Sequence, residues 1–247
     1  MSNHKFVYKE HDEEGLNTLN AIAQTHQFNK WMYQAIKPYL KGDILEIGSG
    51  IGNITQYVLD HKFSITASDI RASYCNILRE RFKENPFLAE VRTVDIVHSD
   101  FENEYKDMLN KFDCIFALNA IEHIEDYNLA VANCSKLLKA NGRLIILVPA
   151  FQQLYNSFDR ELHHFRRYTK SSLEQLLAQA KFSINTTKYF NAAGIFGWWF
   201  SGKLLKNSIL PPGQLSLFNK LVPLFKIVDE LVMKKVGLSL ISVGDKK

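Results

Sequence analysis

The stretch GDILEIGSGIGNITQYVL, residues 42–59, sets an apolar run against three closely spaced glycines and then a helical pattern. Gly48, Gly50 and Gly52, with Ser49 between the first two, let backbone N–H groups and Cα atoms approach a ligand without interference from a Cβ. Dinucleotide-binding turns are related, but their third glycine falls three positions after the second, where Asn53 stands here. Glu46, just before the turn, favours a ligand with a cationic group over one with a pyrophosphate.

From this turn onward, short apolar runs alternate with helical segments, as expected for a parallel sheet covered by helices. The runs that read as strands are 43–48, 63–69, 91–97, 112–118 and 142–149, with helices near 53–61, 72–84 and 126–139. A helix over 171–180 begins behind a Ser cap, the alternation of 182–190 reads as a strand, and 238–244 reads as a final one. The expectation is an α/β, doubly wound, mainly parallel seven-stranded sheet with an antiparallel last strand and a helical insertion before it.

Acids recur at the C-terminal ends of these strands, the edge where open α/β sheets bind ligands. Asp69 ends the second strand, where it can accept both ribose hydroxyls of an adenosine. Asp100, in HSDF, stands after the third and can accept an adenine amino group, with Ile70 and Phe101 as apolar walls. The fourth strand runs out through FDCIFALNAIEHIED into a loop carrying Asn119, Glu122 and His123.

With these residues the chain resembles the class I S-adenosylmethionine-dependent methyltransferases, over roughly residues 25–190. The resemblance rests on ILEIGSGIGNIT, the acid of ITASDI, the HSDF acid and FDCIFALNAIEHIED. It implies S-adenosylmethionine as cofactor, with Glu46 and the glycine turn near the methionine moiety, Asp69 on the ribose, Asp100 at the adenine and Asn119 lining the methionine side. It implies nothing about the methyl acceptor.

A segment of about twenty residues follows the fifth strand and holds Asp159, His163, His164, Arg166, Arg167 and Tyr168. It is similar to a bacterial methyltransferase subgroup with a D…GH-x-RRYT signature. His164 aligns with the signature histidine, while His163 takes the place of its glycine. This segment is expected to face the acceptor through His163, Arg166, Arg167 and Tyr168. An alcohol or phenol acceptor needs a base, and an imidazole is the natural one. His164 is the first choice, positioned by Asp159 or Arg166, and His123 the second. The bland alternative pairs Arg166 and Arg167 with Asp159 and Glu161 at the surface and packs Tyr168.

Three units are expected within this scheme: a helical arm at 1–40, a core of 41–190 plus 238–247, and a helical insertion at 191–237 belonging to the same domain. The arm could cover the sheet or close over a site. The insertion sets apolar residues such as Leu217, Leu221, Leu224, Phe225, Val228 and Leu231 among lysines, and Pro223 should bend or interrupt its second helix. Either its stripes pack on the sheet or they form a lid or lipid-facing surface that admits a hydrophobic acceptor.

The net charge of +4 comes from 190–237, with six lysines against Asp229 and Glu230, so nucleic acid is not the expected partner. Cys75, Cys114 and Cys134 show no zinc or redox spacing, and no metal is read from the sequence. With no secretion leader and no apolar run approaching about 18 residues, a cytoplasmic, at most membrane-peripheral, protein is expected. The expected function is methyl transfer to a small or lipophilic acceptor, on oxygen. The alternatives are a nicotinamide-dependent oxidoreductase and a non-catalytic adenosylmethionine-binding or membrane-adaptor protein.

Overall fold

The structure is a computed structural model that describes residues 13–204 and 212–247. Pro211, and with it the start of the expected Pro-Pro-Gly break, lies outside the described residues. In chain order the main elements begin with α1 (Glu13–Ala23), α2 (His26–Ile36), β1 (Ile44–Ile47), α3 (Thr55–Asp60), β2 (Ile65–Asp69), α4 (Ala72–Phe82) and β3 (Leu88–Thr93). Next come α5 (Phe101–Glu104), β4 (Phe112–Leu118), α6 (Tyr127–Leu137), β5 (Leu138–Pro149), α7 (Ser157–Glu161) and α8 (Lys170–Gln179). The chain continues through β6 (Phe182–Phe190), α9 (Gly194–Trp199), α10 (Pro212–Leu231) and β7 (Ser239–Lys246).

All seven strands join one sheet in the order β3-β2-β1-β4-β5-β7-β6. β1 to β5 are mutually parallel, and β7 runs antiparallel to both β5 and β6, between them. The strand order reverses between β1 and β4, which opens a crevice at their C-terminal ends. The central strands are buried on both faces, so they read as continuous apolar runs, as in IILV of β5.

One core lies on each face of the sheet. One side gathers Phe101, Ile115, Val131, Leu144, Tyr168 and Leu177 beneath α5, α6 and α8. The other gathers Trp31, Ile36, Val58, Leu78, Phe190 and Val222 from α2, α3, α4, β6 and α10. Among the described residues the arm holds the helices α1 and α2, and α2 forms part of the second core.

Pro223 does not interrupt α10, which is continuous from Pro212 to Leu231. The proline removes one helical N–H, but Val222 beside it is fully buried and Phe218 and Phe225 pack on the same core, so the helix is held by its neighbours. The apolar stripe of this helix divides. Phe218, Val222 and Phe225 face inward, whereas Leu217, Leu221, Leu224, Ile227 and Leu231 are exposed.

The 150–170 segment is ordered by hydrogen bonds. Ala150 bridges Tyr168 in parallel, and α7 opens with a capping box between Asn156 and Asp159. Cys75, Cys114 and Cys134 are buried and free.

Candidate active site

The glycine turn leaves β1 with Gly48, Gly50 and Gly52 all in the left-handed region, at φ +75, +55 and +88. Each glycine also has a neighbour. A Cβ on Gly48 would stand 2.9 Å from the Ala120 Cβ, and one on Gly50 would stand 3.1 Å from Leu19. On Gly52 it would fall 2.5 Å from the Phe82 ring. The loop after β4 thus meets the turn at Gly48, and α1 lies across it at Gly50. Asn53, the residue that replaces a dinucleotide glycine, donates from Nδ2 to the Leu19 carbonyl at 3.0 Å and ties α1 there.

Glu46 is buried in β1 and accepts a hydrogen bond from Thr55 Oγ1. Burial raises its pKa to about 7, against the hydrogen bonds of Thr55 and Ser49 and aided by the charge of Asp69. Ser49 fastens the turn to β2, its N–H on the Ser68 carbonyl at 2.8 Å and its Oγ accepting the Ser68 N–H at 3.0 Å.

Asp69 stands at the end of β2, with Oδ2 accepting the Gly50 N–H at 2.9 Å and Oδ1 the Arg71 N–H at 3.0 Å. Burial shifts its pKa upward against these backbone bonds. Neutral backbone donors leave oxygen lone pairs on this carboxylate, which suits a diol. Ile70 is half-buried beside it.

Asp100 is placed differently from the expectation. β3 ends at Thr93 rather than at residue 97, so the acid at the edge is Asp95. Its Oδ1 accepts the Val97 N–H at 3.0 Å, the same two-residue turn that Asp69 makes with Arg71. Asp100 is exposed at the start of α5 and accepts from Asn103 at 2.8 Å. Phe101 is no wall of this rim either, since it packs in the core with its ring 4.9 Å from that of Tyr105. Reading the strand through residue 97 concealed Asp95 in its interior; ending it at the acid would have found it.

Asn119 leaves β4 with φ +51, exposed, its N–H on the Leu147 carbonyl at 2.9 Å. Three residues on, Glu122 is fully buried, and among the described residues neither carboxylate oxygen has a hydrogen-bond partner. Burial raises its pKa to about 7 despite His164 and Arg167 nearby. His123 lies beside it, its ring 4.7 Å from that of His164. Burial first, then the field of His164, lowers the His123 pKa to about 3, so its imidazole is neutral.

The 150–170 segment supplies the other half of this cluster. His164 Nδ1 donates to Asp159 Oδ1 at 2.8 Å, and Arg167 Nε donates to the same oxygen at 2.8 Å. Asp159 Oδ2 accepts the Asn156 N–H at 3.0 Å. Burial acts to raise the Asp159 pKa, but His164 and Arg167 outweigh it and hold the group below the usual carboxylate range. Arg167 also donates to the Ala150 carbonyl at 3.1 Å and lies over the Trp198 ring at 4.8 Å, so α9 roofs the pair.

Arg166 does not position His164. It stacks over Tyr127 at 4.2 Å and donates to the Ile124 and Glu125 carbonyls at 2.9 and 3.0 Å. Tyr168 is buried in the core, and Arg167 is committed to Asp159, so neither presents an open side chain to an acceptor. His163 is exposed with φ +56, which accounts for a glycine at the corresponding place in the signature.

A doubly wound sheet with a left-handed glycine turn at the switch point, acids ending β2 and β3, and a polar cluster after β4 defines a Rossmann-like methyltransferase fold. Residues 45–144 match the family model described as a methyltransferase domain.

Curated relatives include the lovastatin nonaketide synthase mokA of Monascus pilosus, 31% identical over 146 residues, and a highly reducing polyketide synthase of Pyrenophora dematioidea, 28% over 144 residues. Each alignment covers 55% of this chain and 5% of the relative, so this chain spans a small part of their length. Among solved structures, a Thermotoga maritima protein described as a possible histamine N-methyltransferase aligns with TM-score 0.62 and 17% identity. That alignment covers 95% of this chain and 98% of that one. The Haemonchus contortus phosphoethanolamine N-methyltransferase 2 aligns with TM-score 0.58 and 17% identity, over 87% of this chain and 52% of that one. At these identities the likeness is one of fold.

Proposed function

We propose that the protein transfers the methyl group of S-adenosylmethionine to an oxygen of a small or lipophilic acceptor, held between the 150–170 segment and residues 191–237. The observation that carries this reading is the Glu122–His123–His164 cluster. It opens two residues beyond Ala120, which touches the glycine turn, and its second histidine is oriented by a buried carboxylate. The donor's adenosine lies along the β1–β3 edge with Asp69 on its ribose and Asp95 toward its adenine, and its cationic end faces Glu46.

The acceptor hydroxyl gives up its proton to the His164 imidazole, whose Nδ1 is held by Asp159. The oxygen lone pair then forms the bond to the methyl carbon as the carbon–sulfur bond breaks, its electron pair returning to sulfur to leave the neutral thioether S-adenosylhomocysteine. Such a displacement depends on alignment and exclusion of water, which α1 over the turn and Trp198 over Arg167 supply. Structural neighbours include N- and C-methyltransferases, so the fold leaves the methylated atom open, and the choice of oxygen rests on the His164–Asp159 pair.

Calorimetry with S-adenosylmethionine and with NAD tests the donor. Adenosylmethionine alone should bind, and Asp69→Ala should weaken it by about 1–3 kcal/mol through the lost hydroxyl contacts. Binding of NAD alone would replace this reading with the oxidoreductase.

The ionisation of Glu46 provides a second measurement. Its pKa near 7 means that at pH 6 it is largely neutral, and a cationic ligand beside it favours the charged form. Donor binding at pH 6 should therefore release up to about one proton, and affinity should rise with pH to about 7 and then level off. Titrations in two buffers of different ionisation enthalpy would read this, and Glu46→Gln should abolish the release.

The exposed row Leu217, Leu221, Leu224, Ile227 and Leu231, with Phe196 and Trp199, suits contact with anionic lipid, with Lys220 and Lys234 on the same segment. We place the protein in the cytoplasm, docked at a membrane surface from which a lipophilic acceptor is drawn. No helix among the described residues is long and apolar enough to cross a membrane. Flotation with phosphatidylglycerol vesicles should recover the wild type and lose Leu224→Glu/Ile227→Glu; equal recovery of the two would dismiss the docking.

A further inference from the structure

We propose that Glu122, His123 and His164 form a binding site for a divalent transition-metal cation, with an open coordination position that receives the acceptor oxygen. Each residue offers one ligand atom, and these atoms lie within 4.8 Å of one another. Around a cation with ligands at roughly 2.0–2.2 Å, donor atoms stand about 3.3–3.5 Å apart, so side-chain rotations of about 1 Å close the set. One carboxylate and two imidazoles leave a further position for water or substrate, and this donor set suits zinc, iron, cobalt or manganese in the divalent state.

A second, independent observation points the same way. Both Glu122 oxygens are sealed from solvent and, among the described residues, neither accepts a hydrogen bond. A buried carboxylate without donors is costly, and a bound cation would satisfy it. Arg167 spends its ion pair on Asp159, and among the described residues no ion pair is made to Glu122.

The surroundings of the two imidazoles are those of metal ligands. Asp159 holds His164 through Nδ1, which leaves Nε2 as the nitrogen available to a cation. Outer partners of this kind fix tautomer and ring orientation at metal sites. The His123 ring lies 4.7 Å from that of His164 and offers one nitrogen to the same cluster. The cation's use in methyl transfer, where coordination would acidify the acceptor hydroxyl so that its proton passes to solvent and His164 serves as a ligand instead of the base, rests on the function proposed above. Its binding does not, and the two are tested apart.

The test uses full-length protein made without a histidine tag, stripped with chelator, then titrated with Co2+ and Zn2+ by calorimetry and visible absorption. One equivalent of Co2+ per chain should bind, with ligand-field bands stronger than those of the aqueous ion, and Zn2+ should displace it. Glu122→Gln and His164→Gln should each weaken binding at least tenfold, and Asp159→Asn about 10–100-fold. His163→Gln, altering an exposed histidine next in sequence, should leave it unchanged. Adenosylmethionine binding by the same variants reports that they are folded. No Co2+ uptake by the wild type, or undiminished uptake by Glu122→Gln or His164→Gln, would overturn the site and leave a protonated Glu122 in its place. Failure to bind adenosylmethionine with Co2+ uptake intact would instead overturn the methyl-transfer reading.

Discussion

Asp159→Ala should cost about 3–5 kcal/mol of stability and lower the melting temperature by roughly 10 °C, because it leaves the buried Arg167 guanidinium without its counter-charge. Asp159 is fully buried and gathers three donors, from Asn156, His164 and Arg167, so its removal also releases the capping box of α7 and the orientation of His164. Loss of stability and loss of turnover should therefore coincide. Pairing the change with Arg167→Met should restore part of the stability, since the stranded charge is gone, but none of the orientation of His164. A thermal scan of the two variants decides the matter. A drop of under about 2 °C for the single change would mean that the ion pair is not buried as described.

Gly52→Ala should cost about 2–4 kcal/mol. Its φ of +88 disfavours any side chain, and a Cβ there would lie 2.5 Å from the Phe82 ring and 2.9 Å from Leu78, both in the core beneath α4. This glycine serves packing, whereas Gly50 donates its N–H directly to Asp69. Gly213→Ala provides the control, with nothing within 4 Å of the added carbon, and should move stability by less than about 1 kcal/mol. Chemical denaturation would resolve these differences, and equal midpoints for the two variants would refute the assigned role of Gly52.

Much of this architecture was legible from residue patterns alone. β4 and β6 have the boundaries that their apolar runs suggest, and Asp69 ends β2 as expected, because strand identity and glycine turns are local properties. The errors arose where neighbours decide. The register of β3 hid Asp95, since an acid after an alternating run reads equally well as part of it. On α10 the division between buried Phe218, Val222 and Phe225 and the exposed leucines depends on where α2 docks, which no single helix can reveal. The choice of Arg167 over Arg166 as partner of Asp159 is likewise a matter of three-dimensional reach. Glu122 and His123 come from the exit of β4 and His164 from beyond β5, so only the folded sheet brings the cluster together.

The position of β7 has a consequence for the order of assembly. As the seventh strand in sequence but the sixth across the sheet, it must slide between β5 and β6, so β6 has no partner in register until residues 239–246 have been synthesised. On the ribosome, the β1–β5 half could set its crevice early, while β6 waits with bare edges. A stop codon introduced before Ser239 would leave β6 unpaired and the outer edge of β5 bare, and the nascent product would be prone to stick to other copies of itself.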